Sequence, residues 1–114
     1  MPVVKPNHVA QNFEIVKGDS LDLKVTVTVQ STGAAYDLTG ATIKWIVNKT
    51  TPLTLQTPSD IEITDEGNGI FVIHIDADEL DEVGDFAHQA EVTIGTAVNT
   101  VFDGTVRIKT DLLP

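Results

Sequence analysis

The chain has 114 residues, with 17 acidic against 7 basic side chains, a formal net charge of −10, 41% apolar residues and no cysteine. That length fits one domain, which buries roughly 65% of its unfolded surface. The charge opposes a phosphate backbone or an anionic lipid surface, so nucleic-acid binding and membrane docking are poor readings, and the lack of cysteine excludes a disulfide framework or a thiolate metal site.

The first residues, MPVVKPNHVAQNFEIV, lack the long apolar core and small-residue cleavage site of a signal peptide. No apolar run approaches the ~20 residues of a membrane span. The expectation is a complete product made in the cytosol, or an excised domain. Residues 1–12, with Pro2, Pro6, Asn7 and Gln11, show no periodicity. They are expected to form an arm that either reaches a neighbouring subunit or frays, with Val3 and Val4 as contact candidates. Residues 13–114 are expected to form a single domain.

Phe13-Glu14-Ile15-Val16 reads as a short strand, and Lys17-Gly18-Asp19-Ser20 as a turn. From Leu21 to Gln30 the chain alternates cleanly: Leu21, Leu23, Val25, Val27 and Val29 on one face, polar residues on the other. A period of two means one buried and one wet face; a helical period would scatter these side chains around the axis. After a loop, Tyr36-Asp37-Leu38-Thr39-Gly40 turns into a strand over Ala41–Lys49, with Ile43, Trp45 and Val47 on one face. Ile46 breaks that pattern and is assigned to an interface or to a position under a loop. Trp45, the single tryptophan, is expected to be a core anchor, because a ligand platform needs exposed aromatic neighbours and aromatics are 5% of the chain.

Leu53-Thr54-Leu55, between Pro52 and Pro58, reads as an edge strand. Ile61-Glu62-Ile63 and Ile70–Ile75 flank a two-glycine turn, Asp65-Glu66-Gly67-Asn68-Gly69, a hairpin signal. Phe71, Ile73 and Ile75 are assigned inward. Asp76–Val83 is the best helical candidate: Asp76 and Glu79 have the spacing of a capping box, and Leu80 and Val83 are expected to turn inward. Phe86, His88, Ala90, Val92 and Ile94 share one face of the next strand. In the last, Val98–Lys109, Gly104 signals a bulge or a close backbone approach. About seven to eight short antiparallel strands, with turn signals every ~8–12 residues, predict an all-β sandwich or barrel with one short helical crossing at 76–83.

Candidate chemistry is thin. Asp76-x-Asp78-x-x-Asp81 has the look of a calcium loop, but Leu80 and Asp81 occupy the positions where an oxygen ligand and a glycine belong. Asp76, Asp78 and Asp81 therefore stand as weak metal candidates, more readily read as a solvated acidic face. A gathering of Asp60, Asp65 and Glu66 with Asp85 at one end of the domain is the other arrangement to weigh, against the plainer reading of a solvated acidic face. His8, His74 and His88 share no zinc-ligand spacing, and His88 is expected to be a hydrogen-bonded, buried or half-buried histidine. Neither a nucleophile elbow nor a phosphate-cradling loop occurs. The residues point to no catalytic group and no cofactor, so the chain is read as not an enzyme.

Four segments together resemble a known layout: Phe13–Ser20, Tyr36–Trp45, Gly69–Ile75 with Leu80…Gly84-Asp85-Phe86, and Val101–Ile108. The chain resembles the immunoglobulin-like domain at the N-terminus of tailed-phage baseplate upper proteins, over about residues 13 to 109. Asp37-Leu38-Thr39-Gly40-Ala41-Thr42 is the most specific piece. The resemblance implies an immunoglobulin-like sandwich with Trp45, Leu80, Gly84 and Phe86 as core anchors. It departs from immunoglobulin domains in having Phe86 where their corner has Tyr, and His88 where they have their second Cys, which implies a core held by packing alone. It further implies a virion structural protein, made in the bacterial cytoplasm. Such a protein would be a tail, baseplate or assembly subunit, a homo-oligomer contacting other virion proteins, with no nucleic-acid partner and no membrane insertion. The alternative is a ligand-binding module, such as a calcium-assisted binder of carbohydrate or of a host surface.

Overall fold

A computed structural model describes residues 6–110. Among the described residues, nine strands form two packed sheets: β1 (Val9–Ala10), β2 (Phe13–Val16), β3 (Leu21–Thr26), β4 (Thr42–Val47), β5 (Leu53–Gln56), β6 (Ile61–Asp65), β7 (Ile70–Ile75), β8 (Gly84–Ile94) and β9 (Ala97–Lys109). The larger sheet runs β1-β9-β8-β4-β5, with β2 also on β9; the smaller runs β3-β7-β6. The chain is thus an all-β sandwich. The pairs β3–β7, β6–β7, β4–β5, β4–β8 and β8–β9 are antiparallel, whereas β1 and β2 lie parallel to β9.

Period-two patterning explains the layers. Ile43, Trp45 and Val47 of β4, Ala90 and Val92 of β8, Phe102, Val106 and Ile108 of β9 and Phe71, Ile73 and Ile75 of β7 form one buried core, joined by Leu38, Leu55 and Ile61. In β9 the alternation slips once. Ala90 pairs Phe102 but Glu91 pairs Thr100, so Val101 is the extra residue of a bulge, and Val101 and Phe102 are both buried. The expected strand Leu21–Gln30 stops at Thr26 as a regular strand; Thr28 and Val29 make only isolated bridges, to Ala35 and Pro6.

Two expectations change. Residues 76–83 are not helical. Among the described residues the single helical turn is a 3-10 turn at Glu66–Asn68, while Asp76–Glu79 closes one turn through Glu79 N–H to Asp76 O (3.1 Å) and Asp76 N–H to the Glu79 carboxylate (2.7 Å). The capping contact forms, but eight residues with five polar side chains offer too little apolar surface to extend it. Leu80 is buried and Val83 is half exposed, so only one of the two expected anchors points inward. In addition, residues 6–12 pack against the domain instead of standing off as an arm: Pro6 is buried and makes an isolated bridge to Val29, beyond the end of β3, and Val9–Ala10 pair with Phe102–Asp103 of the larger sheet. Val3 and Val4 lie outside the described residues.

Candidate functional site

The polar centre of the molecule is His88, with 3% of its surface exposed in an otherwise apolar core. Register explains its position. Trp45 pairs across β4–β8 with Ala90, whose small side chain lets the indole lie over it toward the diagonal neighbour on the same face, His88. On the other side His88 pairs with Gly104 of β9. No side chain fills that place, and the backbone of Gln11–Asn12 enters it: a Cβ built on Gly104 would collide with Gln11 O and stand 2.6 Å from Asn12 Oδ1. Here the N-terminal strand breaks between β1 and β2. The Gln11 N–H still donates to Asp103 O (2.7 Å), but the Asn12 side chain, not a backbone carbonyl, accepts from Thr105 N–H (2.8 Å). The Gln11 carbonyl is thereby turned inward.

The hydrogen bonds assign the proton. The Trp45 indole Nε1–H donates to His88 Nδ1 (3.0 Å), and His88 Nε2 lies 2.6 Å from Gln11 O. An indole only donates and a carbonyl only accepts. Nδ1 is therefore the acceptor and Nε2 carries the hydrogen, which makes the imidazole neutral. Burial lowers its pKa below the ordinary histidine value; the Gln11 carbonyl and the Asp103 charge oppose that shift with smaller effect. Phe13 stands edge-on to the imidazole at 5.3 Å, Trp45 edge-on at 5.9 Å, and Phe102 tilted at 5.5 Å. The core is thus held by packing and by a Trp45–His88–Gln11 chain of hydrogen bonds, which corrects the expectation of packing alone. Of the expected anchors, Trp45 and Leu80 are fully buried, Phe86 is half-buried, and Gly84 lies against the Phe86 ring, where an added Cβ would come within 3.0 Å of Cζ.

Surface chemistry is dispersed. His8 meets Asp103 (2.9 Å), whereas His74, on the outer face of the small sheet, is bridged by Asp22 (2.8 Å) and Glu62 (3.3 Å), which raise its pKa, Asp22 more than Glu62. Asp65 is taken up by Asn68 and Asp85 by Arg107. Asp76 and Asp78 are exposed, Asp81 pairs with Lys49 (3.3 Å), and among the described residues no group of three or more potential ligands is placed to hold a metal ion. Glu82 accepts from Thr50 N–H (2.9 Å) and Oγ1–H (2.6 Å), which pins the acidic crossing to the β4–β5 loop and lowers the Glu82 pKa. Ile46 is half-buried on the outer face of the large sheet, beside a depression of about 400 Å³ lined also by Asn48, Ala87, Gln89, Asp103 and Thr105.

Fold and site together define a β-sandwich protein whose central polar feature is structural: each polar atom of His88 is spent inside the core. No sequence-family model matches the chain, and no curated protein matches it. Among solved structures, the chain is similar to part of a family 123 glycoside hydrolase from Clostridium perfringens, described for glycolipid glycan hydrolysis, with 17% identity and a TM-score of 0.45. The match covers 92% of this chain and 23% of that one, so the chain spans less than a quarter of the hydrolase.

Proposed function

We propose that this chain is a non-enzymatic structural protein of a phage or prophage, a tail, baseplate or virion-assembly subunit or adaptor that acts through protein–protein contacts. The observation that carries the reading is the corner at Asp37–Gly40, the most specific part of the resemblance. Asp37 Oδ1 accepts from both Thr39 N–H (2.9 Å) and Thr39 Oγ1–H (2.6 Å), and Leu38, fully buried, donates its N–H to Glu66 O (2.8 Å). That short motif ties the entry of β4 to the turn between β6 and β7, so it joins the two sheets and has a structural reason to be retained.

Strand order supports the immunoglobulin-like part of the reading. β3-β7-β6 corresponds to strands B-E-D of such domains, and β9-β8-β4-β5 to G-F-C-C′, with Trp45 on the strand equivalent to C. For contacts, the outer edge of β5 is unpaired among the described residues, and Ile46 offers an aliphatic side chain on the large sheet's outer face. Val3 and Val4 remain contact candidates from the sequence. The protein assembles as a homo-oligomer within the virion, next to other tail or baseplate proteins.

Light scattering and native mass measurement over a wide concentration range test this. The expected result is a species larger than the monomer that Ile46→Asp weakens. A strict monomer at high concentration overturns the oligomer, and a gene lying outside any tail or capsid operon overturns the class.

A further inference from the structure

Residues 6–12 form a strap across the open side of the sandwich. Pro6 and Asn7 attach to the end of the β3 segment, with Asn7 N–H to Thr28 O (2.8 Å) and Asn7 Nδ2–H to Thr28 Oγ1 (2.6 Å); Val9–Gln11 attach to β9. Val9, Ala10, Gln11 and Asn12 are exposed, so hydrogen bonds and not apolar burial hold this part down. Segments of that kind open at low free-energy cost. The bond that ties the strap to the core is Gln11 O to His88.

We infer that His88 is an acid-sensitive fastener of the strap: a proton taken up at Nδ1 sets two N–H groups against each other at the Trp45 contact, and the imidazole leaves its place by displacing Gln11. The geometry leaves no neutral way out. Trp45 Nε1–H faces Nδ1 at 3.0 Å and has no acceptor capacity. Phe13, Trp45 and Phe102 surround the ring, and on β4 its direct partner is Val47, so no charged group faces it from β2 or β4. On β9 the neighbouring charge is Asp103, already bonded to His8. On the imidazole's face of the sheet, Gln11 and Asn12, both exposed, fill the gap beside Gly104. A charged imidazole therefore reaches water by opening the strap. Burial sets the direction: His88 binds a proton less readily in the closed state than in the open one, so falling pH favours opening.

His8 also lies on the strap and bonds Asp103 (2.9 Å), so the experiment removes it. The experiment is amide hydrogen exchange between pH 7 and pH 5 in a His8→Asn background, with protection corrected for intrinsic exchange rates. In that variant, protection of Gln11 N–H is expected to fall about tenfold per pH unit below the open-state histidine pKa of about 6.5. Ladder amides within β7 should keep theirs. Adding His88→Gln, which retains an acceptor and a donor but does not titrate, should flatten the Gln11 profile. Protection that stays constant with pH in the His8→Asn chain, or a fall that survives His88→Gln, overturns the inference. Should the Gln variant not fold, the His88 ring protons are followed by NMR in the His8→Asn chain. The fall in Gln11 protection must then track the His88 titration, and titration without loss of protection overturns it.

Discussion

Gly104→Ala is the substitution whose cost is best separated into parts. Gly104 has φ +156° and an added Cβ would collide with Gln11 O. At that φ, which residues with a Cβ rarely adopt, the backbone conformation alone costs on the order of 1–3 kcal/mol. The collision adds to this: Gln11 must withdraw, and the buried His88 Nε2–H then loses its acceptor, which costs about 1–3 kcal/mol. The expected loss is about 2–6 kcal/mol. Gly95→Ala supplies the comparison, since Gly95 has φ +61° and no atom within 4 Å of the added Cβ, so it should show the backbone cost only, about 1–2 kcal/mol. Urea unfolding followed by Trp45 fluorescence measures both, with an unchanged m-value expected in each. Equal losses for the two variants, within about 0.5 kcal/mol, would refute the claim that the Gln11 carbonyl occupies the place a side chain would take.

Three further outcomes are expected. Trp45→Ala should cost about 3–5 kcal/mol in the same unfolding assay read by circular dichroism, and a loss below about 1 kcal/mol would place Trp45 outside the core. Leu80→Ala should cost about 2–5 kcal/mol while Val83→Ala is nearly neutral, and equal costs would contradict the exposed position of Val83. The His74 pKa is raised by Asp22 and Glu62, so its pairing stabilises the fold fully below the unfolded histidine value of about 6.5 and is lost as pH rises through the raised folded value. The stability difference between the parent chain and His74→Gln should therefore shrink from pH 6 to pH 8, and a difference independent of pH counts against the bridge.

Much of the fold was legible in the sequence, because alternation is a direct consequence of the two-faced strand. The β7 assignment of Phe71, Ile73 and Ile75 inward holds, as does the inner face of β8 from Phe86 to Ile94. The edge position of Leu53–Gln56 was readable from the flanking prolines. The helical reading of 76–83 went wrong because a capping-box spacing is a local signal, and the segment buries only Leu80 to support it. The pairing of residues 6–12 escaped notice for a different reason. Its bonds are made by backbone groups and by Asn7, Gln11 and Asn12, which carry no hydrophobic period. The signal that could have found it was Gly104: a glycine inside an otherwise regular strand marked a close backbone approach, and Gln11–Asn12 is the segment that approaches. His88 was readable as a hydrogen-bonded core histidine, but its partners were not, since Trp45 meets it diagonally and Gln11 is 77 positions away.

The most direct test of the central structural claim is the protonation state of His88, read from its imidazole nitrogens by NMR at pH 7. The account predicts a neutral ring with hydrogen on Nε2 and with Nδ1 hydrogen-bonded to the Trp45 indole. A ring protonated on Nδ1, or an imidazolium at that pH, would contradict it.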